Sequence, residues 1–121
     1  MTTALVIDDN RETADSIAAM LTFLNVENQV AYGPRAAMMV LQEYTPDIIF
    51  LDISMPGVDG FEVMGYLHRF PQLQDVPVVF VTADTQPETA GKVRKAGAKH
   101  MIIKPITLDG LEAALQKAGF S

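Results

Sequence analysis

No cysteine occurs in the 121 residues, which excludes a disulfide framework and any thiolate metal site. Long apolar runs are also missing. None approaches the roughly 20 residues that a membrane-spanning helix needs, and Met1-Thr2-Thr3 carries neither the basic nor the apolar region of a secretory leader. A soluble, cytoplasmic protein with no membrane partner is expected by elimination. Basic residues are few, nine Lys and Arg against fifteen Asp and Glu, and the net charge of −6 argues against nucleic-acid binding by the chain itself. Four of the cations cluster in KVRKAGAK (Lys92–Lys99), flanked by Glu88, Asp109 and Glu112. That stretch reads as a solvated helix face, with a phosphate or acidic-partner patch as the alternative.

What the chain does have is apolar content, 49% of residues, in a length that suits one domain. Short β-branched runs stand at Ala4–Ile7, Ile48–Leu51, Val76–Val81 and Met101–Ile103, as expected of strands buried on both faces. Gln29–Tyr32 alternates polar and apolar residues and predicts an edge strand. Helical spacing links Ala14, Ile17, Ala18, Leu21 and Leu24 behind a candidate cap, Asn10. It recurs through Ala37, Val40, Leu41 and Tyr44, with Pro34 in the first turn. A third helix carries Phe61, Met64 and Leu67 and ends at Phe70-Pro71. Pro87 opens a fourth that stops at Gly97, and Thr107 caps a fifth through Leu108, Leu111, Leu115 and Ala118. Strand and helix alternate five times. The expected fold is α/β, a doubly wound five-stranded parallel sheet of order 2-1-3-4-5, flavodoxin-like, with helices on both faces. Ligands of such sheets bind beyond the carboxyl ends of the strands, near the switch in strand order.

Chemistry-bearing residues stand at those ends. The first run is followed by Asp8-Asp9, the third by Asp52, the fourth by Thr82 and the fifth by Lys104-Pro105. Singly each has a plain explanation: a helix-capping Asp, a β-forming Thr, a surface Lys. Together they converge on one sheet edge. Three carboxylates repel one another unless they take up a proton or a cation, and an oxygen-only set without His or Cys suits a hard ion such as Mg²⁺. Lys104 can offset negative charge on a transferring phosphoryl group, and Thr82 can donate to one of its oxygens. Asp52, alone before a turn, is the natural nucleophile, since carboxylates form acyl phosphates.

VIDDN at 6–10, IIFLDISMPGVDGFEVM at 48–64, VVFVTAD at 78–84 and MIIKPI at 101–106, in this order, resemble the receiver domain of two-component response regulators, chemotaxis regulators among them. The resemblance spans Leu5 to Ala118, and the whole chain, 1–121, is expected to form that one domain. It implies a phosphorylation-activated switch. A sensor histidine kinase, or a phosphotransfer protein, would pass its phosphoryl group to Asp52, changing the binding of a downstream protein. It implies Mg²⁺ held by Asp9, Asp52 and the backbone carbonyl of Ser54, with Asp8 helping directly or through water. Thr82 matches the switch hydroxyl, Lys104 the phosphate-pairing lysine, and the Ala83 backbone joins the phosphate site. The Lys104–Pro105 peptide is implied to be cis. No turnover enzyme is implied, and a monomer or weak dimer is expected.

One position departs from that pattern. Where receivers often carry Tyr or Phe, three residues before the lysine, this chain has Met101. Ser54 and Asp84, each two residues beyond Asp52 and Thr82, fall where receivers vary and tune the lifetime of the acyl phosphate. Pro56, Gly57 and Gly60 read as turn formers. Met38, Met39, Met55 and Met64 read as core and loop packing, and His68 and His100 as surface or boundary residues. Two rivals differ in class. A flavin-binding electron carrier shares the fold, but Asp8-Asp9 would repel its phosphate. A haloacid-dehalogenase-type phosphatase wants a second Asp where Ser54 stands.

Overall fold

The computed structural model describes residues 1–120, and what sets its framework is the pairing of five short strands. These are β1 (Thr3–Ile7), β2 (Glu27–Ala31), β3 (Ile48–Asp52), β4 (Val78–Thr82) and β5 (His100–Ile103). All pair in parallel, in the order β2-β1-β3-β4-β5. The helices are α1 (Arg11–Phe23), α2 (Pro34–Leu41), α3 (Gly60–Leu67), α4 (Pro87–Lys95) and α5 (Leu108–Lys117). The expected α/β order is the observed one.

Strand alternation divides the core. Leu5, Ile7, Ile49, Leu51, Val78 and Phe80 face α2, α3 and α4, packing on Leu41, Val63, Leu67 and Val93. Ala4, Val6, Ile48, Phe50, Val79 and Val81 face α1 and α5 and meet Ile17, Leu21, Leu111 and Leu115. The central strands β3 and β4 are buried at every position, which is why they read as unbroken apolar runs. β2, at the edge, is buried only at Ala31, hence its alternating sequence. Asn10, Asp59 and Thr107 cap α1, α3 and α5, each side chain accepting from a backbone N–H three residues on.

Several boundaries differ from expectation. β4 starts at Val78: Pro77 has no N–H for a ladder, and the Val76 N–H is taken by the carbonyl of Leu73 in a short 3-10 turn, Pro71–Leu73. β2 begins at Glu27 and ends before Tyr32, whose ring lies outside the sheet under the Arg11 guanidinium, 4.1 Å from its centroid. α2 stops at Leu41, leaving Tyr44 to reach back toward the Ala4 carbonyl. Met39 is 66% exposed and belongs to no core, whereas Met55 and Met64 are buried. His68 is exposed and His100 half-buried. Gly60 is no turn former. It is the first residue of α3, where a Cβ would stand 2.6 Å from the Asp52 carbonyl oxygen and 2.8 Å from Ile53 Cα.

Candidate functional site

Parallel pairing puts every strand's carboxyl end on one edge. Ile7 lies beside Leu51, Asp52 beside Val81, and Thr82 beside Ile103, so Asp8, Asp9, Asp52, Thr82 and Lys104 gather there. The chain beyond each strand is tied down by one more backbone bond: Asp8 N–H to Ala31, Ile53 N–H to Val81, Lys104 N–H to Thr82. Asp8, Asp52 and Thr82 are the only buried polar or charged side chains among the described residues, at 1%, 3% and 1% exposure. Asp9 is exposed at the rim.

Carboxylate oxygens of Asp8, Asp9 and Asp52 lie within 4.8 Å of one another. The Lys104 ammonium bridges two of them, 3.3 Å from Asp52 Oδ1 and 3.5 Å from Asp8 Oδ2. One cation against three carboxylates leaves the cluster short of positive charge. Asp8 Oδ1 accepts from the Asn10 N–H, but buried Asp8 Oδ2 has no hydrogen-bond partner. Only the longer ion contact from Lys104, at 3.5 Å, meets this buried oxygen, and a second cation or a proton donor would satisfy it further. Burial, then repulsion from Asp8, pushes the Asp52 carboxyl up to about 6, while Lys104 and a backbone hydrogen bond from Ser54 pull the other way. The donor set is all oxygen and fits a hard divalent cation.

Beside Asp52, at its neighbours Ile53 and Ser54, opens a cleft also lined by Asp9, Pro56, Thr82, Asp84 and Lys92, with Asp59 and Thr89 on its wall. Thr82 Oγ1 accepts from the Asp84 N–H at 3.0 Å, which leaves its own hydrogen free to donate. The Asp84 carboxylate is turned to α4, accepting from the Gln86 N–H at 2.8 Å and from the Thr89 hydroxyl. Those bonds hold it below the usual carboxylate range, with a smaller pull from Lys92. Ala83 is exposed in the same loop. The Lys104–Pro105 peptide is cis. Met101, opposite Phe80, is half-buried against the α2–α4 side of the core.

Not everything singled out in the sequence joins this edge. His100 begins β5 and so stands at the opposite end of the strand, and His68 caps the end of α3. Lys92 belongs to the cationic run but faces the cleft, while Arg94 and Lys95 are exposed near the carboxyl end of α4, where cations are favoured. Asp59 and Thr89 were invisible as site residues, and Lys92 was only one member of a run with an alternative phosphate reading. Their only local signals are a cap and helix i, i+3 spacing, and neither says which cleft a helix borders.

Comparison with known proteins identifies the family to which this fold belongs. The family model for the response regulator receiver domain matches residues 4–116. Protein RcaC of Microchaete diplosiphon is 29% identical over 110 residues, 91% of this chain and 17% of that protein. Regulatory protein AtoC of Escherichia coli is 28% identical over 114 residues, 94% of this chain and 24% of that protein. The chain thus spans a quarter or less of these curated relatives. Among solved structures, the Vibrio cholerae chemotaxis protein CheY4 superposes with a TM-score of 0.92 at 26% identity, covering 98% of each chain. The receiver domain of NtrX from Brucella abortus gives 0.86 at 28%, covering 95% of this chain and 96% of that one. With a family model over residues 4–116 and a TM-score of 0.92 to a chemotaxis response regulator over 98% of each chain, the chain belongs to the response regulator receiver domain family of two-component signalling.

Proposed function

We propose that Asp52 is the phosphoacceptor of a signalling switch formed by the whole chain, 1–121, and that Mg²⁺ is its cofactor. The observation that carries this is the pairing of buried Asp52 with Lys104 at 3.3 Å beside an Asp8 oxygen that has no hydrogen-bond partner. Asp8, Asp9, Asp52 and the Ser54 backbone carbonyl would hold the ion, which supplies positive charge to phosphoryl oxygens. The donor is a phosphohistidine of a sensor histidine kinase or of a phosphotransfer protein. An Asp52 oxygen attacks phosphorus, the P–N bond breaks, and its electron pair leaves with the imidazole. Lys104 stays against the acid cluster and meets the charge that arrives with the phosphoryl group. Thr82 turns its free hydroxyl hydrogen to one phosphoryl oxygen, and the Ala83 N–H serves another. Drawing Thr82 inward loosens its bond from the Asp84 N–H, which connects the acid pocket to the start of α4. That displacement changes binding of a downstream protein. Met101 follows it without the hydroxyl exchange that a Tyr would make.

One transfer per chain, without turnover, separates this reading from a phosphatase. The cytoplasm, where such kinases present their phosphohistidine, is the proposed compartment, and a monomer or weak dimer the proposed state. Ser54 and Asp84 set the lifetime of the acyl phosphate, Asp84 through the α4 contacts that hold it. Acetyl phosphate with Mg²⁺ is expected to add one base-labile phosphoryl group per chain, read by intact-mass spectrometry, and none to Asp52→Asn. Equal labelling of that variant, or sustained release of phosphate from monoesters, would overturn the proposal.

A further inference from the structure

The approach to Asp52 is guarded by acids. Asp9, Asp59 and Asp84 all line the cleft beside it, and a phosphodonor arrives carrying negative charge of its own. Lys92 is the one cation on that lining; Lys104 is not part of it and sits against Asp8 and Asp52. Lys92 is exposed, and among the described residues no carboxylate comes within 4 Å of its ammonium, so its charge is not spent on an ion pair. It stands one helical turn after Thr89, on the same side of α4, and Thr89 holds Asp84 in place. It borders the cleft together with Asp84 and Thr89.

We infer that Lys92 is a positioning residue that selects for phosphodonors by charge, drawing dianionic ones past the acidic rim of the cleft to Asp52. The inference rests on the phosphoacceptor reading above. With acetyl phosphate, an Asp52 oxygen attacks phosphorus, the bond from phosphorus to the acetyl oxygen breaks, and acetate leaves with the electron pair. Lys92 touches neither the breaking nor the forming bond. It raises the local concentration of the donor, so its effect belongs in the second-order rate constant and fades as salt screens it.

The test compares initial phosphorylation rates at saturating Mg²⁺ with two small donors: acetyl phosphate, a dianion near neutral pH, and phosphoramidate, whose ammonium leaves a net monoanion. Lys92→Gln is expected to slow acetyl phosphate about threefold at low salt and Lys92→Glu about tenfold, with a smaller loss for phosphoramidate. Both losses should shrink toward unity at about 0.5 M salt, where the screening length is only a few ångströms. Lys92→Arg should retain the wild-type rate. Arg94→Gln, an equal change in net charge on the far side of the same helix, should not slow the reaction. Equal losses for the two donors, or for Arg94→Gln and Lys92→Gln, would overturn the inference, as would failure of Lys92→Arg to keep the rate. Wild-type labelling that Lys92→Gln leaves untouched would remove Lys92 but keep Asp52. Absence of labelling in the wild type would instead remove Asp52, and this inference with it.

Discussion

Asp52 shows how a residue's surroundings rewrite its chemistry. An ordinary Asp is ionised well below neutrality, but here burial and the Asp8 charge push the carboxyl up to about 6 from 3.8. Between those values the folded chain keeps a proton that the unfolded chain has released. Stability linked to Asp52 is therefore full below about pH 3.8 and lost as pH rises through about 6. Above that the carboxylate is charged in both states, and its burial costs on the order of 1–3 kcal/mol. Asp52→Asn has no proton to lose. In the presence of a chelator it should be the more stable protein near neutral pH by roughly that amount, with the gap closing as pH falls toward about 4. Urea unfolding of both proteins across this range checks it. A gap independent of pH, or an Asn variant that is weaker at neutrality, would contradict the assigned cause. A buried carboxylate that destabilises its own fold is a candidate functional group, since perturbed pKa values cluster at functional sites.

At the scale of elements, α3 is fixed by one missing side chain. Its first residue, Gly60, donates its N–H to the Ile53 carbonyl at 2.8 Å and sits against the Asp52 backbone where no Cβ fits. The Asp59 cap then commits the helix to start at that point. Gly60→Ala would place a methyl 2.6 Å from the Asp52 carbonyl oxygen, and the obstacle is backbone rather than a side chain that can swing away. The strand end or the helix must shift, at a cost of about 1–3 kcal/mol. Thermal melts should show the loss. Because the displaced residue is Asp52 itself, phosphorylation by acetyl phosphate should slow as well. Gly65→Ala in the same helix, where nothing stands within 4 Å of the added carbon, should keep both properties. A Gly60→Ala protein with wild-type stability would show that the approach is looser than this geometry.

The whole molecule is a sheet whose carboxyl edge gathers more acid than base. One lysine faces three acids there, and a buried Asp8 oxygen has no hydrogen-bond partner. Binding an ion to the folded state alone stabilises it by RT ln(1 + [L]/Kd), about 1.4 kcal/mol at tenfold excess over Kd. For a chain of this size that is a rise of roughly 4–7 °C in Tm. Mg²⁺ titration followed by thermal unfolding should show the rise in wild type. It should be lost in Asp9→Ala and largely kept in Lys104→Ala, since the lysine is proposed to pair with phosphate. An equal rise in Asp9→Ala would take Asp9 out of the ion's ligand set.

The order of elements and the identity of the acid cluster were legible in the chain alone, for a physical reason. Strand and helix periods are local, and a parallel sheet sends every strand's carboxyl end to one edge, so the residues just after the apolar runs are the residues of the site. Asp8, Asp9, Asp52, Thr82 and Lys104 all came from that rule. Element ends were less legible, because Pro77 and the turn before it, not apolar content, set where β4 begins. Tertiary structure alone decided the rest. That Gly60 serves close packing rather than a turn depends on how near α3 approaches the Asp52 backbone. That Lys92 borders the cleft while Arg94 and Lys95 do not depends on how α4 is rotated over the sheet. That Asp52 holds its proton to about 6 depends on water being excluded and on Asp8 standing near. Contact, rotation and desolvation are sums over residues distant in sequence, and no local pattern encodes them.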